Sequence, residues 1–293
     1  MLSRTWRIFR FQSATWFLFD NNAEGALRPG KGAVSSQKFT PLIYARLPQK
    51  AIMDRKTIEF SIQEAGCLLY AADLNLGGNP FAVLDNRRWK PLTEKGALMA
   101  TSLYQDDGFY VRVVFGDLTA EEQSEWTSRV RWKLNLESGK MVVSGVCDPD
   151  IEEYLEDFPV AETGGDYHLG CRVPVPQGEY SVTIYSYPPN DLAGGWMAIE
   201  DRREFKLCFG QESEFGYEKP VDYWTRTHPG EPAPDWVKDG CEDTGFLDFV
   251  IQFTSLSESL PLPEFEADGC LLWQYRKPPI CPVGIRLESP SRL

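Results

Sequence analysis

The spacing of apolar residues changes period twice between residues 107 and 147. Residues 109–115 (FYVRVVF) are apolar at almost every position, Arg112 being the exception, and turn residues bound them on both sides. An aromatic, β-branched run of this kind predicts a strand covered on both faces. A helical pattern follows. Thr119 and Glu122 have the reciprocal capping spacing, Glu121, Glu122 and Glu125 sit at the positive end of the helix dipole, and Trp126 and Val130 share a face. They predict a short helix over residues 119–130. Trp132, Leu134 and Leu136 then alternate with Arg131, Lys133 and Asn135, the pattern of a half-buried strand. Glu137-Ser138-Gly139-Lys140 reads as a turn, and residues 141–146 as the partner strand of a hairpin.

Elsewhere the same reading predicts one or two strands within residues 1–20, a long turn-rich loop over 21–50, and strands at 57–62 and 67–71. In residues 148–158, Ile151, Tyr154, Leu155 and Phe158 form an amphipathic stripe, with Asp148-Pro149 opening the helix and Pro159 closing it. This predicts a second short helix over 150–158. Residues 188–197 (PPNDLAGGWM) are a loop and the best boundary in the chain. Strands follow at 204–209, 246–253 and 270–275, separated by a Pro- and aromatic-rich excursion at 217–236 that has no regular period. The fold class is therefore α+β and β-dominated, with antiparallel, sandwich-like sheets and two short helices. The expected organisation is an N-terminal β-rich lobe over 1–190 and a C-terminal sub-lobe over 191–293, packed as one unit.

Residues 175–184 read Val-Pro-x-Gly-x-Tyr-x-Val-x-Ile. This resembles the corner-plus-strand signature of immunoglobulin-like and related β-sandwich modules. The resemblance spans about a dozen residues and implies that Tyr180 turns a corner and hydrogen-bonds to nearby backbone. It implies no activity. The G-D-L-T-x-E-E start of the first helix and the P-G-E-P-x-P-x-W loop at 229–236 resemble segments of bacterial proteins, again without an activity attached.

Charge narrows the choice of partners. The 293 residues carry 43 acids against 30 Lys and Arg, a net charge of −13, which disfavours nucleic acid and anionic membrane surfaces. With 13% aromatic and 42% apolar residues the chain has the composition of a folded protein. Seven scattered cysteines without a C-x-x-C pair predict a reducing, cytoplasmic setting and no zinc ribbon. The N-terminal stretch has no sustained apolar core of a secretory leader, and no segment has the length and apolarity of a membrane span.

No established catalytic signature is present, and with only His168 and His228 a histidine-rich metal site is excluded. No cofactor or metal is expected. Asp148, Asp150 and Glu152 have the one-three-five spacing of a calcium loop, but Glu153 stands where that loop needs glycine. Residues 148–166 hold eight carboxylates and no Lys or Arg, and Glu152, Glu153, Glu156 and Asp157 occupy the polar face of the predicted helix. They are the candidate docking surface for a basic protein partner, against the plainer reading of a solvated face. In the 222–236 excursion Tyr223, Trp224, Arg226, His228 and Trp236 combine flat apolar faces with a cation and an imidazole. That set suits a small ligand or a sugar, against the alternative that prolines wrap the segment and its aromatics plug the core. Arg129, Arg131 and Lys133 make a basic stripe, expected to pair with the surplus acids. The leading functional expectation is a non-enzymatic cytoplasmic interaction protein of the inhibitor or immunity type. The alternatives are a ligand- or carbohydrate-binding module using 222–236, and a hydrolase with His and carboxylate chemistry.

Overall fold

Two β-sheets pack face to face in a computed structural model that describes residues 55–65, 68–76, 86–103, 107–145, 157–189, 220–235, 237, 245–257, 259–266 and 269–287. All of these belong to one of the two units into which the chain divides, Pro48–Leu293. The strands are β1 (Lys56–Ala65), β2 (Leu68–Asp73), β3 (Leu98–Ser102), β4 (Asp107–Phe115), β5 (Ser128–Leu136), β6 (Lys140–Ser144), β7 (Gly165–Tyr167), β8 (Gly170–Pro174), β9 (Gly178–Ser186), β10 (Phe249–Ser255) and β11 (Gln274–Tyr275). Short helices α1 (Asn86–Lys95), α2 (Ala120–Glu125) and α3 (Pro220–Thr227) decorate them, which makes the described fold α+β and β-dominated.

One sheet has seven strands in the order β11-β5-β9-β10-β4-β1-β7, the other four in the order β3-β2-β6-β8. Pairing is antiparallel except between β10 and β4 and between β1 and β7. The C-terminal stretch expected to form a sub-lobe thus contributes β10 to the middle of the larger sheet, between β9 and β4.

Alternation along the strands builds the core between the sheets. Ile62, Val111, Val113, Val130, Trp132, Leu134, Val182, Ile184 and Ile251 of the larger sheet meet Leu69, Ala71, Met99, Met141, Val143 and Val173 of the smaller one. The near-continuous apolar run of β4 is explained by a second cover on its outer face. There Val114 packs with Tyr185, Tyr187, Leu247, Val250 and Ile285. Trp89 of α1 covers the outer face of the smaller sheet against Leu68, Tyr70, Leu98 and Val142. Phe158, last member of the apolar stripe in 151–158, is buried in the same cluster.

Three expectations change against the structure. The helix expected to reach residue 130 ends at Glu125. Trp126 is already extended, Thr127 N–H donates to Ser186 O at 2.9 Å to start the ladder with β9, and Val130 faces the core from β5. Residues 131–136 and 141–144 are both strands, but not a hairpin. β5 pairs with β9 and β6 pairs with β2 and β8, so the turn at 137–139 carries the chain from one sheet to the other. Buried Asp73 pins that corner, accepting from Ser138 N–H and Oγ at 2.9 Å each, and Gly139 takes φ +68. The 217–236 excursion contains a regular element, α3. The strands expected within 1–20 and at 204–209, and nearly all of the helix expected at 150–158, lie outside the described residues.

Candidate functional site

Polar chemistry concentrates around α2, a helix of six residues that few helix propensities would sustain alone. Its N-terminus is closed by the capping box the sequence encodes: Glu122 N–H donates to Thr119 Oγ1 at 3.1 Å, and Thr119 N–H to Glu122 Oε2 at 2.8 Å. Glu122 Oε1 also accepts from Arg55 Nη2 at 2.9 Å and Arg112 Nη1 at 2.8 Å, while Arg112 Nε donates to Glu59 Oε1 at 2.8 Å. Glu122 is fully buried, and Tyr187 O–H donates to its backbone carbonyl at 2.7 Å. At the other end Arg276 takes over the free carbonyls. Its Nε donates to Trp126 O at 2.8 Å and its Nη2 to Gln123 O and Ser124 O at 2.9 and 2.8 Å. Glu125 Oε2 accepts from Val283 and Gly284 N–H at 2.6 and 3.2 Å, tying the C-terminal segment to the same helix.

The electrostatics follow from these contacts. Burial alone would raise the Glu122 carboxyl, but hydrogen bonds from Arg55, Thr119 and Arg112 outweigh it and hold the group below the ordinary carboxylate range. Burial works against the Arg112 charge in the same way and is outweighed by Glu122 and Glu59. A carboxylate held in its ionised form by two guanidinium groups and a backbone N–H has no proton to give and is a poor base. The cluster therefore organises structure rather than acid–base chemistry. Arg112, the one polar residue of an apolar strand, was its visible sign, and the Glu at the third helical position was the other. Arg276 left no such mark in the sequence.

The residues singled out at 222–236 divide between core and surface. Tyr223 and Trp224 are buried on α3, 2% and 4% exposed, in a cluster with Val237, Phe246 and Cys281. Tyr223 O–H donates to Pro278 O, and Trp224 Nε1 donates to Glu231 O at 3.3 Å. The half-buried His228 stacks on Trp224 with ring centroids 3.8 Å apart, and its Nδ1 meets Thr227 Oγ1 at 3.1 Å. The exposed Arg226 lies over the Tyr223 ring, 5.4 Å from its centroid. Trp236 lies outside the described residues. Both described aromatics are thus packed inward, as the plugging alternative has it.

Of the acidic set, Glu152, Glu153 and Glu156 lie outside the described residues, and Asp157 is exposed. The chain beyond it runs along both sheet edges on one side of the sandwich. Arg172 N–H donates to Pro159 O at 2.7 Å and Ala161 N–H to Arg172 O at 2.8 Å beside β8, after which β7 adds to β1. Glu162 and Asp166 are exposed along this path, and the Asp166 carboxylate is held by Ser61 Oγ at 2.6 Å and by Gln63 Nε2. Burial and the charges of Asp166 and Asp248 raise the nearby Tyr110 phenol above its usual range. His168 is exposed next to β7. Among the described residues no three His, Cys, Asp or Glu side chains converge as a metal site, and no helix is long and apolar enough to cross a membrane.

No protein-family model matches the chain, and no curated protein matches it. Two solved structures do. One is described as crocagin biosynthetic gene J, at 14% identity over 70% of this chain and 99% of the other, with a TM-score of 0.38. The second is ComJ from Bacillus subtilis, described as an inhibitor of the DNA-degrading activity of NucA, at 8% identity over 71% of this chain and 99% of the other, with a TM-score of 0.31. At such TM-scores neither likeness carries an argument about this chain.

Proposed function

We propose that the chain is a non-enzymatic interaction protein of the inhibitor or immunity type, working in a bacterial cytoplasm. Its acidic segment, residues 148–166, is the surface that meets a basic protein partner. The observation that carries this reading is the described end of that segment. Asp157, Glu162 and Asp166 stand exposed beside the edges of the two sheets, and among the described residues none of the three forms an ion pair with a Lys or Arg. Anionic side chains presented on a rigid edge steer a cationic partner and fix its orientation. The same charges keep the edges from pairing with a second sheet, so recognition must be tested separately from solubility. The buried reduced thiol of Cys171 suits a reducing compartment.

The test is a pull-down from host lysate with the full chain and with a variant in which Glu152, Glu153, Glu156 and Asp157 are all changed to Gln. The expected result is a partner retained by the native chain at low salt, released where the screening length falls to a few ångströms at about 1 M salt, and not retained by the variant. No retained partner at low salt, or equal retention by the two chains, refutes the reading.

A further inference from the structure

Among the described residues, the basic stripe of β5 does not pair with the surplus acids as expected. Arg129, Arg131 and Lys133 alternate on the outer face of β5, opposite the inward Val130, Trp132 and Leu134. The chain has 43 acids and 30 bases, yet among the described residues none of the three meets a carboxylate. Arg129 Nε donates to Gln274 Oε1 at 3.4 Å, and Arg131 Nε donates to Ser181 Oγ at 3.1 Å. The Lys133 ammonium lies 5.5 Å from the Trp132 ring centroid, and its stem passes against Gly96.

These contacts orient the cations without neutralising them. Each arginine is oriented through Nε by an uncharged oxygen, and its two terminal nitrogens make no hydrogen bond among the described residues. That pair of nitrogens is the edge which takes a carboxylate with two parallel bonds. Successive cations lie about 7 Å apart along the strand, the repeat of every second residue in an extended chain. Trp126 closes the row at the Arg129 end, with the Arg129 and Arg276 guanidinium carbons 5.0 and 3.6 Å from its ring centroid.

We infer that the outer face of β5 is a docking site for an extended acidic segment of a protein partner. Alternate carboxylates of that segment fall on the open forks of Arg129 and Arg131, and a third falls on Lys133. The spacing suits alternate side chains of an extended peptide, and the cations over Trp126 occupy the ring that a base would need for stacking. β5 and β7 lie toward opposite ends of the seven-stranded sheet, so the site is separate from the acidic edge and stands whether or not that edge binds a basic partner.

The experiment measures fluorescence anisotropy with a labelled peptide of alternating glutamate and threonine, a glutamine counterpart, and a single-stranded oligonucleotide of equal charge. The full-length native chain is compared with the Arg129→Gln/Arg131→Gln and Arg131→Lys variants, each checked for a native thermal transition. The glutamate peptide should bind, weaken with salt, and bind roughly tenfold or more weakly to the double variant, as expected for losing two charge-assisted bidentate pairs. Arg131→Lys keeps the charge but loses the fork and should give an intermediate loss; should the double variant not fold, this variant decides alone. The inference is overturned if the glutamate peptide binds no better than the glutamine one, or if the variants bind it unchanged. It is also overturned if the oligonucleotide binds tighter through the same arginines, or if the native chain sediments as an oligomer that the variants dissociate, which would make a second copy the occupant.

Discussion

Replacing Glu122 with Gln should destabilise the protein measurably at neutral pH and little in acid. The carboxylate is 1% exposed and serves two guanidinium groups, of which Arg112 is 11% exposed and Arg55 33%. Removing one partner of a buried pair costs about 3–5 kcal/mol, because the other charge is left unpaired. Three features place this case near the lower end. Arg112 keeps Glu59, Arg55 has water within reach, and a Gln side chain can still return a hydrogen bond to Thr119. A loss of about 3 kcal/mol lowers the melting temperature of a unit this large by about 6–12 °C. The pH dependence has a defined sign. A carboxyl held below its ordinary range stabilises the fold fully above the unfolded value of about 4.3, and that stabilisation disappears as pH falls through the lowered folded value. Urea unfolding of the two proteins at neutral pH and at a series of acidic values reads both effects. The reasoning fails if Glu122→Gln lies within about 0.5 kcal/mol of the native protein at neutral pH, or if the gap between them does not shrink in acid.

Three further substitutions test single contacts elsewhere in the fold and at the far end of α2. Tyr180→Phe removes the corner bond from the Tyr180 hydroxyl to Pro176 O, 2.8 Å long and partly buried, and should cost about 1 kcal/mol in urea unfolding; an unchanged midpoint would make the corner ornamental. Gly170→Ala places a methyl 2.6 Å from Val143 O and 2.9 Å from Phe158 Cε2 and should cost about 1–3 kcal/mol, so a tolerated alanine would mean that this close approach is not a constraint. Arg276→Met leaves the carbonyls of Gln123, Ser124 and Trp126 without their donor. Hydrogen exchange should then speed up at the α2 amides while the β9–β10 ladder keeps its protection, and equal protection of α2 in both proteins would count against the cap.

The sequence was most informative where one local rule decided the outcome. The Thr119–Glu122 box, the alternation of Trp132, Leu134 and Leu136, and the Tyr180 corner each rest on residues a few positions apart, and each has its expected geometry. Pairing partners were not legible. The turn at 137–139 has the chemistry of a hairpin, yet Asp73 arrives from a distant strand and holds it as a corner between sheets. The helix after Thr119 stops early because Arg276, about 150 residues on, accepts the task of ending it. In α3 the aromatics of a Pro-rich segment face the core, a placement that their composition leaves open until the neighbours Val237, Phe246 and Cys281 are known. Arg129, Arg131 and Lys133 show the limit most sharply. Their alternation is visible in the sequence, whereas the neutral partners that hold two of them come from β9 and β11.

The cover on the outer face of the larger sheet and the open stripe of β5 share Trp126. The cover is made by α2 and the C-terminal segment, through Leu118, Trp126, Leu247, Ile285 and Leu287. Its attachment depends on Arg276 and on Glu125 gripping Val283 and Gly284. Where the cover ends, Arg129 and Arg276 both lie over the Trp126 ring, and the charge of Arg129 acts against that of Arg276. An anion on the Arg129 fork offsets that repulsion without disturbing the three carbonyl bonds that Arg276 makes. An anion docked on β5 should therefore strengthen the hold of Arg276 on the end of α2, and by linkage the loss of that hold in Arg276→Met should weaken docking by the same coupling free energy.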